Sequence, residues 1–529
     1  MSQSPSLSAK RQSSGIASAA SILALGSIAS RVLGLVREQI IAYLFGASGL
    51  VSAFDIAATI PNMIYEQLVG GMLSAALVPV FSRVAEQEGK TALWALFNRV
   101  ASLVAVLLAA IVLLLEALAP QVAWLLGGGF EPDLQAALAQ MIRIIAPAVL
   151  FFGLSGAVTG LLYTLKRFTY PAFGAAAFNL GIIIAAPLLA GQLDAYSLSV
   201  GVLLGSLLQL LIQTPDLRGT HLRFRLDISH PALRRILALY MPIALGLIVS
   251  NVQIAIDRRL ASSTGESSIA WMRDATKLIQ LPHGLVAVAI SLAVLPTLSQ
   301  LSALGDQDGF RKTLGQGLRL VLVLIVPATL GLLVLAEPIV ALLFEHGKFS
   351  AHDTFWTTWA LRYYLVGLVF AAVDWPLNYA FYARQDTLTP ALVGVLSVGV
   401  YLSVALALIQ PLGMLGLVLA DSAKHISHAL AMLALTWRRT GGLADLQLGQ
   451  TVGKTLLATG VMAGLMFLAL GAITRLVGTG GWAAQLLAVG VTGGLGGLAY
   501  LGVVTWLRVE DVGLLRDQVR QRLKRPNLD

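Results

Sequence analysis

The chain of 529 residues contains no cysteine. That excludes disulfides, thiolate catalysis and cysteine-held metal sites. Charge is scarce as well: Asp, Glu, Lys and Arg make up 12% of the chain, against roughly 25% in a soluble domain. Long polar stretches are missing, so no connection between hydrophobic runs could fold into a soluble catalytic domain. No GxxxxGK[ST] phosphate loop occurs, which argues against nucleotide hydrolysis of that type. The seven histidines show no HExxH spacing. His425 and His428 are three apart on a helix, which is too little for a metal site.

What remains is apolar: 57% of the residues are hydrophobic. A bilayer span needs about 20 apolar residues. Fourteen candidate helices meet that need, near 16–45, 51–82, 92–118, 135–165, 170–190, 196–214, 234–262, 270–299, 312–343, 354–383, 388–410, 413–437, 451–474 and 482–507. The fold class is therefore all-α, a polytopic membrane protein. The opening MSQSPSLSAKRQSSG is polar and is expected to be disordered. Lys10 and Arg11 before an apolar run have the look of a signal peptide, but that run continues far beyond an h-region.

Net charge is +9, and the excess sits in alternate loops. Arg83, Lys90 and Arg99 surround the loop after helix two, and Lys166 and Arg167 follow helix four. Arg218, Arg223, Arg225, Arg234 and Arg235 fill the loop after helix six. Arg311, Lys312, Arg384, Arg438 and Arg439 follow helices eight, ten and twelve. The positive-inside rule places these loops and both termini in the cytoplasm. The charge thus reports orientation, and no nucleic-acid partner is expected.

Three segments recur. GGMLSAALVPVFSR (70–83) resembles AVAISLAVLPTLSQ (287–300), APQVAWLL (119–126) resembles EPIVALLF (337–344), and YTLKRFTYPAF (163–173) resembles YARQDTLTPAL (382–392). Pro79, Pro120 and Pro171 align with Pro296, Pro338 and Pro390, at offsets of 217, 218 and 219. Six helices separate the copies, so both point the same way, as in transporters built of parallel repeats. The expected organisation is a cytoplasmic tail (1–15), a first lobe (16–215), a basic cytoplasmic loop (216–233), a second lobe (234–440), two further helices (450–507) and a basic tail (508–529).

Charges inside the spans carry the chemistry. Each costs at least about 2.5–3.5 kcal/mol at a helix centre, so it faces water or a partner. Arg31 and Glu38 are seven apart, nearly on one helix face, and Arg37 lies about 120° from Arg31 by the helix period. Gly34 between them leaves room for a ligand or a kink. Two readings fit. Guanidinium forks match phosphate oxygens, giving an anionic headgroup site. Alternatively, Arg31 or Arg37 pairs with Glu38 and locks helices. Lys277 in helix eight, near Arg273 and Asp274, is a further candidate cavity cation, with Arg273 expected to snorkel to headgroups. Asp257 in helix seven and Asp421 in helix twelve could hold Na⁺ or share a proton. Arg258, Arg259 and Lys424 close by offer plain ion pairing instead. Asp374, Arg362 and Asp55 are charges without an assigned role.

Several segments in order resemble the MurJ (MviN) lipid II flippase family, of the multidrug/oligosaccharidyl-lipid/polysaccharide exporter superfamily. They are SRVLGLVRE (30–38), IPN…GG…SAALVP (60–79), LYTLKRFTYPAF (162–173), QLPHGLVAVAISLAVLPTLS (280–299), LAEPIVALLFEHGKFSAHDT (335–354) and FYARQDTLTP (381–390). The resemblance covers nearly the whole chain. It implies an inner-membrane transporter, not an enzyme, that carries the undecaprenyl-pyrophosphate-linked peptidoglycan precursor lipid II from the cytoplasmic to the periplasmic leaflet. It implies that Arg31, Arg37 and Glu38 belong to the headgroup cavity, and that the last two helices form a groove for the lipid tail. In some relatives a Na⁺ site uses an acid of helix seven, matched here by Asp257; coupling to H⁺ or to the membrane potential is the other expectation. Membrane lipids and cell-wall synthesis proteins are the implied partners. The chain departs from the pattern at Tyr65 and Glu66, where the family has an arginine pair, at Gly70, where it has glutamate, and at Thr276–Lys277, Tyr401 and Asp421. A flippase for another polyprenyl-linked glycan, a polyprenyl-dependent ligase and a non-transporting scaffold for cell-wall synthesis are the other readings.

Overall fold

The computed structural model describes residues 7–66, 76–217, 222–227, 229–442, 448–478 and 481–509, without the side chains of 7–20 and 242–250. Gly70 and the basic tail beyond residue 509 lie outside the described residues. Every regular element is helical among those described. The chain forms two compact units, residues 1–270 and 271–529.

In the first unit, α1 (Leu7–Phe45), α2 (Gly49–Tyr65), α3 (Val78–Gln87), α4 (Gly89–Ala117) and α5 (Ala119–Gly127) lead to α6 (Pro132–Ile145) and α7 (Ala148–Thr164). Then come α8 (Thr169–Ala172), α9 (Gly174–Leu193), α10 (Tyr196–Leu211) and α11 (Pro231–Ser262). α12 (Ser268–Pro282) crosses into the second unit. A π-helical turn (His283–Val288) joins it to α13 (Ala289–Leu304). The rest are α14 (Gln307–Val334), α15 (Ala336–Phe344), α16 (Ala351–Ala383), α17 (Leu388–Leu412), α18 (Met414–Thr440), α19 (Leu448–Val477) and α20 (Trp482–Trp506).

Ten helical stretches among the described residues are long and apolar enough to cross a membrane: α4, α6–α7, α9, α10, α12–α13, α14, α16, α17, α19 and α20. Their flanks expose large apolar side chains, such as Leu188 at 74%, Leu396 at 71% and Phe467 at 71%. Hydrocarbon, unlike water, leaves such a surface stable. The expected spans over 16–45, 234–262 and 413–437 are helical too (α1, α11, α18), but they carry the intramembrane charges.

Two expectations need correction. α1 begins at Leu7, inside the tail expected to lack structure. Once a helix is nucleated, each added residue gains a hydrogen bond, and no proline interrupts residues 6–60. Residues 119–127 and 336–344 also form separate short helices, α5 and α15. Pro120 and Pro338 sit in their first turns, where a missing N–H costs nothing.

The repeat extends to the backbone. Lys166 and Gln385 both adopt left-handed φ, 59° and 60°, and they are 219 residues apart. The next N–H donates to an equivalent carbonyl in each copy, Arg167 to Leu162 at 2.8 Å and Asp386 to Phe381 at 3.0 Å. Asp194 (φ 46°, ψ −138°) and Gly413 (φ 55°, ψ −130°) match at the same spacing. The second copy places glycine where this conformation favours it; the first strains an aspartate.

Small residues set the helix spacing. A Cβ on Gly181 of α9 would lie 2.2 Å from the Gly205 nitrogen of α10. A Cβ on Gly367 of α16 would lie 2.7 Å from Ser422 Cα of α18, and the Ser422 hydroxyl donates to the Tyr363 carbonyl at 2.9 Å. α20 docks differently. Pro327 in α14 lacks the N–H that the Val323 carbonyl would accept, and the Tyr500 hydroxyl of α20 donates to that carbonyl at 2.6 Å. In an apolar setting such a substitute partner is required.

The basic loop after α10 is clasped to α4. Arg225 N–H donates to Ser102 Oγ at 2.8 Å, and Arg99 Nε donates to Asp227 at 3.1 Å. The Ser229 hydroxyl and N–H, then Arg99, hold the Asp227 carboxyl down at about 2. Its folded value is depressed, so this clasp is complete above the usual carboxylate range and is lost as pH falls through about 2.

Tyr500→Phe should orphan the Val323 carbonyl and cost about 1–3 kcal/mol, read as a lower unfolding temperature of the purified protein in detergent. Asp194→Gly should raise stability by about 1 kcal/mol by relieving strain. An unchanged unfolding temperature in both would contradict these assignments.

Candidate functional site

α1 lies along α9, and the contact carries the first intramembrane charges. Arg37 Nη1 donates to Asn179 Oδ1 at 3.0 Å, and Arg37 Nη2 pairs closely with Glu38. Glu38 is 2% exposed. Asn179 is fixed in turn, because its amide donates to the Ser30 and Ala175 carbonyls, both at 3.1 Å. The side chain of Asn179 fits beside Gly34, whose added Cβ would be 3.8 Å from Nδ2. One guanidinium is thus aimed by two neighbours, and its buried Nε has no hydrogen-bond partner among the described residues. Arg31 is exposed and makes no ion pair among the described residues.

Of the two readings of Glu38, the Arg37 pair is the one observed; Arg31 is not its partner. Asn179 was not singled out from the sequence. The available signal was an amide inside the apolar run FNLGIII, which is costly to bury without partners.

At the other candidate positions, each unit shows its own pattern. Asp257 and Asp55 are half-buried and engaged. Arg259 Nη1 donates to the Trp124 carbonyl at 3.1 Å and stacks over the Trp124 ring at 5.1 Å, tying α11 to α5. In the second unit, Lys277 is half-buried and engaged. Arg273, expected to snorkel, instead pairs with the fully buried Asp274 at 2.7 Å. A carboxylate with no access to water outweighs headgroup contact. Arg362 stacks over Trp359 at 5.2 Å.

Asp421 faces Lys424 at 2.6 Å and His425 at 3.7 Å, both on its own helix. An ammonium already neutralises the carboxylate, so this donor set does not fit a sodium ion. Among the described residues, no three His, Asp or Glu side chains gather as a metal would need.

The departures from the expected pattern are structural. Tyr65 accepts from Gln209 at 3.1 Å and packs on Phe152 at 5.0 Å. Tyr401 is 1% exposed with Lys424 Nζ 6.0 Å from its ring centre. Thr276 bonds its own helix at the Met272 carbonyl, 2.7 Å away. Glu66 is exposed at the end of α2.

A family model described as "Lipid II flippase MurJ" matches residues 41–486. The lipid II flippase MurJ of Burkholderia cenocepacia is 33% identical over 379 residues, covering 70% of this chain and 73% of its own. The probable lipid II flippase MurJ of Vibrio cholerae serotype O1 is 30% identical over 516 residues, covering 92% and 95%. The solved structure of a lipid II flippase MurJ in an inward closed conformation superposes with a TM-score of 0.78 at 23% identity, covering 94% of this chain and 99% of that one. An inward-facing multidrug-resistance MATE transporter of the MOP superfamily gives 0.64 at 15% identity, covering 79% and 96%. The last two likenesses establish the fold.

If Asn179 aims Arg37, Asn179→Leu combined with Arg37→Gln should show a coupling of about 0.5–3 kcal/mol in a double-mutant cycle of thermal unfolding. Additive effects would contradict it.

Proposed function

The chain belongs to the lipid II flippase MurJ family, and from that premise we infer that it carries lipid II, the undecaprenyl-pyrophosphate-linked peptidoglycan precursor, across the membrane. The carrying observation is a pair of guanidinium groups on α1, a helix within the membrane. Arg37 is oriented by Asn179 and Glu38 with its Nε unfilled, and Arg31 is exposed. Such groups want an acceptor. A diphosphate offers the planar, charged oxygens that guanidinium matches.

The mechanism follows from solvation. Dragging sugars, peptide and diphosphate through hydrocarbon is prohibitive. Arg31 and Arg37 replace water around the phosphates, while Glu38 keeps Arg37 from being a free buried charge. The polyprenyl tail stays in lipid and runs along α19 and α20. The site opens to one face and then to the other by alternating access. An inside-negative potential favours outward movement of an anion by about 2.3 kcal/mol per charge per 100 mV, offset by whatever protein charge returns. Chemistry on the substrate plays no part in this scheme. The protein resides in the inner membrane with both termini in the cytoplasm, and cell-wall synthesis proteins that consume the precursor are its partners.

Arg31→Ala and Arg37→Ala should each lower flipping at least about tenfold while leaving membrane insertion intact. Leaflet-resolved labelling of precursor in depleted, complemented cells measures this, with inner-leaflet accumulation expected. Arg37→Lys should also fail, because one ammonium cannot bridge Glu38, Asn179 and a phosphate in a fixed fork. Normal outer-leaflet delivery by either alanine variant would overturn the reading.

A further inference from the structure

The second unit holds another polar network, which phosphate binding does not use. Asp374 of α16 is bridged from α18 by His428, whose Nδ1 lies 2.7 Å from Oδ1. Asn378 donates to Oδ2 at 2.8 Å. The other side of the His428 ring faces α17, where a Cβ on Gly394 would lie 4.0 Å from Nε2. A carboxylate oxygen accepts, so the form that fits carries a proton on Nδ1.

The next residue of α16 holds a second imidazole in the opposite role. Trp375 donates its indole N–H to His283 Nε2 at 3.0 Å. An indole can only donate, so this nitrogen carries no proton and the ring is neutral. The Ala371 carbonyl lies 3.4 Å from the same Nε2. It is an alternative acceptor for the N–H that a protonated ring would acquire. Both backbones are irregular here. His283 opens the π-helical turn, and Pro376 removes the N–H that the Ala372 carbonyl would accept. Such turns recur at hinges and functional sites.

A structural tie alone does not account for the pair. At the 219-residue spacing, Ser155 and Gln209 stand where the second unit has Asp374 and His428. The first unit joins α7 to the turn just after α10 with neutral groups: Gln213 Nε2 donates to Ser155 Oγ at 2.6 Å. The crossing therefore does not require titratable residues. The second unit has them regardless, and they lie within a membrane-spanning helix and its neighbours.

We propose that the second unit is a proton-binding device. His428, held by Asp374, is its loaded site, and His283, held by Trp375, is its empty one. One proton taken up by His283 Nε2 breaks the Trp375 bond and turns the new N–H to the Ala371 carbonyl, changing the contact at the π-helical turn. The surrounding ionisable groups are Asp421, Lys424 and His425 on α18, Tyr379 and Tyr382 on α16, and Tyr401 on α17. Arg319 lies on α14, which packs on α16. Asp421 and Lys424 neutralise each other, so a proton on His283 adds net positive charge. Use of that proton to drive transport rests on the flippase reading; binding it does not.

Two measurements test this separately. In full-length protein labelled with ¹⁵N-histidine and ¹⁵N-tryptophan in lipid nanodiscs, His283 should pass from neutral to imidazolium as pH is lowered between about 8 and 5. The Trp375 indole resonance should move with the same midpoint. In vesicles loaded with lipid II and clamped at zero potential, an imposed pH gradient should change wild-type flipping about fivefold or more. His283→Gln and His428→Gln should abolish that response. A His283 ring that stays neutral, or a Trp375 signal that ignores its titration, overturns the proton site. Flipping that ignores the gradient while His283 titrates overturns its use in transport. Loss of all lipid II flipping with the spectra unchanged instead overturns the substrate reading and leaves the proton site standing.

Discussion

A charge placed among apolar helices must be answered by another polar group, and this constraint organises the structure. Glu38 is buried and is met by Arg37; Arg37 is met by Asn179, and Asn179 by the carbonyls of its neighbours. Asp274 is answered by Arg273, and Asp421 by Lys424. The rule reaches the backbone, where Tyr500 supplies the donor that Pro327 withholds from Val323. Leaving any of these groups unpaired in hydrocarbon would cost several kcal/mol. Among the described residues, Arg37 Nε is one of several buried polar atoms whose hydrogen bond is not met.

Duplication supplies the frame on which these networks differ. The turns at Lys166 and Gln385 close the same way, and the short helices α5 and α15 follow the long helices α4 and α14 in the same manner. Backbone geometry has been kept while polar content has diverged. The first unit has Ser155 and Gln209 where the second has Asp374 and His428. One copy thus carries guanidinium groups on its opening helix and the other carries imidazoles. The two copies thus differ in polar content on a common backbone.

Much of this was legible in the chain, for reasons that can be stated. Hydrophobic runs mark spans because lipid demands length and uniformity. The paired prolines marked the repeat, because proline constrains the backbone wherever it stands. Arg31, Arg37 and Glu38 could be singled out in the sequence because charge in a span is costly. The partners were not visible. Arg37 and Asn179 are 142 residues apart, and nothing in local spacing links them. Arg273 was expected at the headgroups because it lies near the predicted outer end of its helix, and position alone did not show that Asp274 beside it is fully buried. His428 drew notice only for its spacing from His425; its partner Asp374, and the Trp375 partner of His283, come from the fold.

The twin left-handed turns also make the molecule self-calibrating. Lys166 and Gln385 are side chains of similar reach on matching backbone, outside the helices. A spectroscopic tag attached at each would inherit the same local mobility. Any change in the spacing of such a pair would then report displacement of one half against the other, free of differences between the attachment points. The duplication has in effect provided a ruler with two like ends.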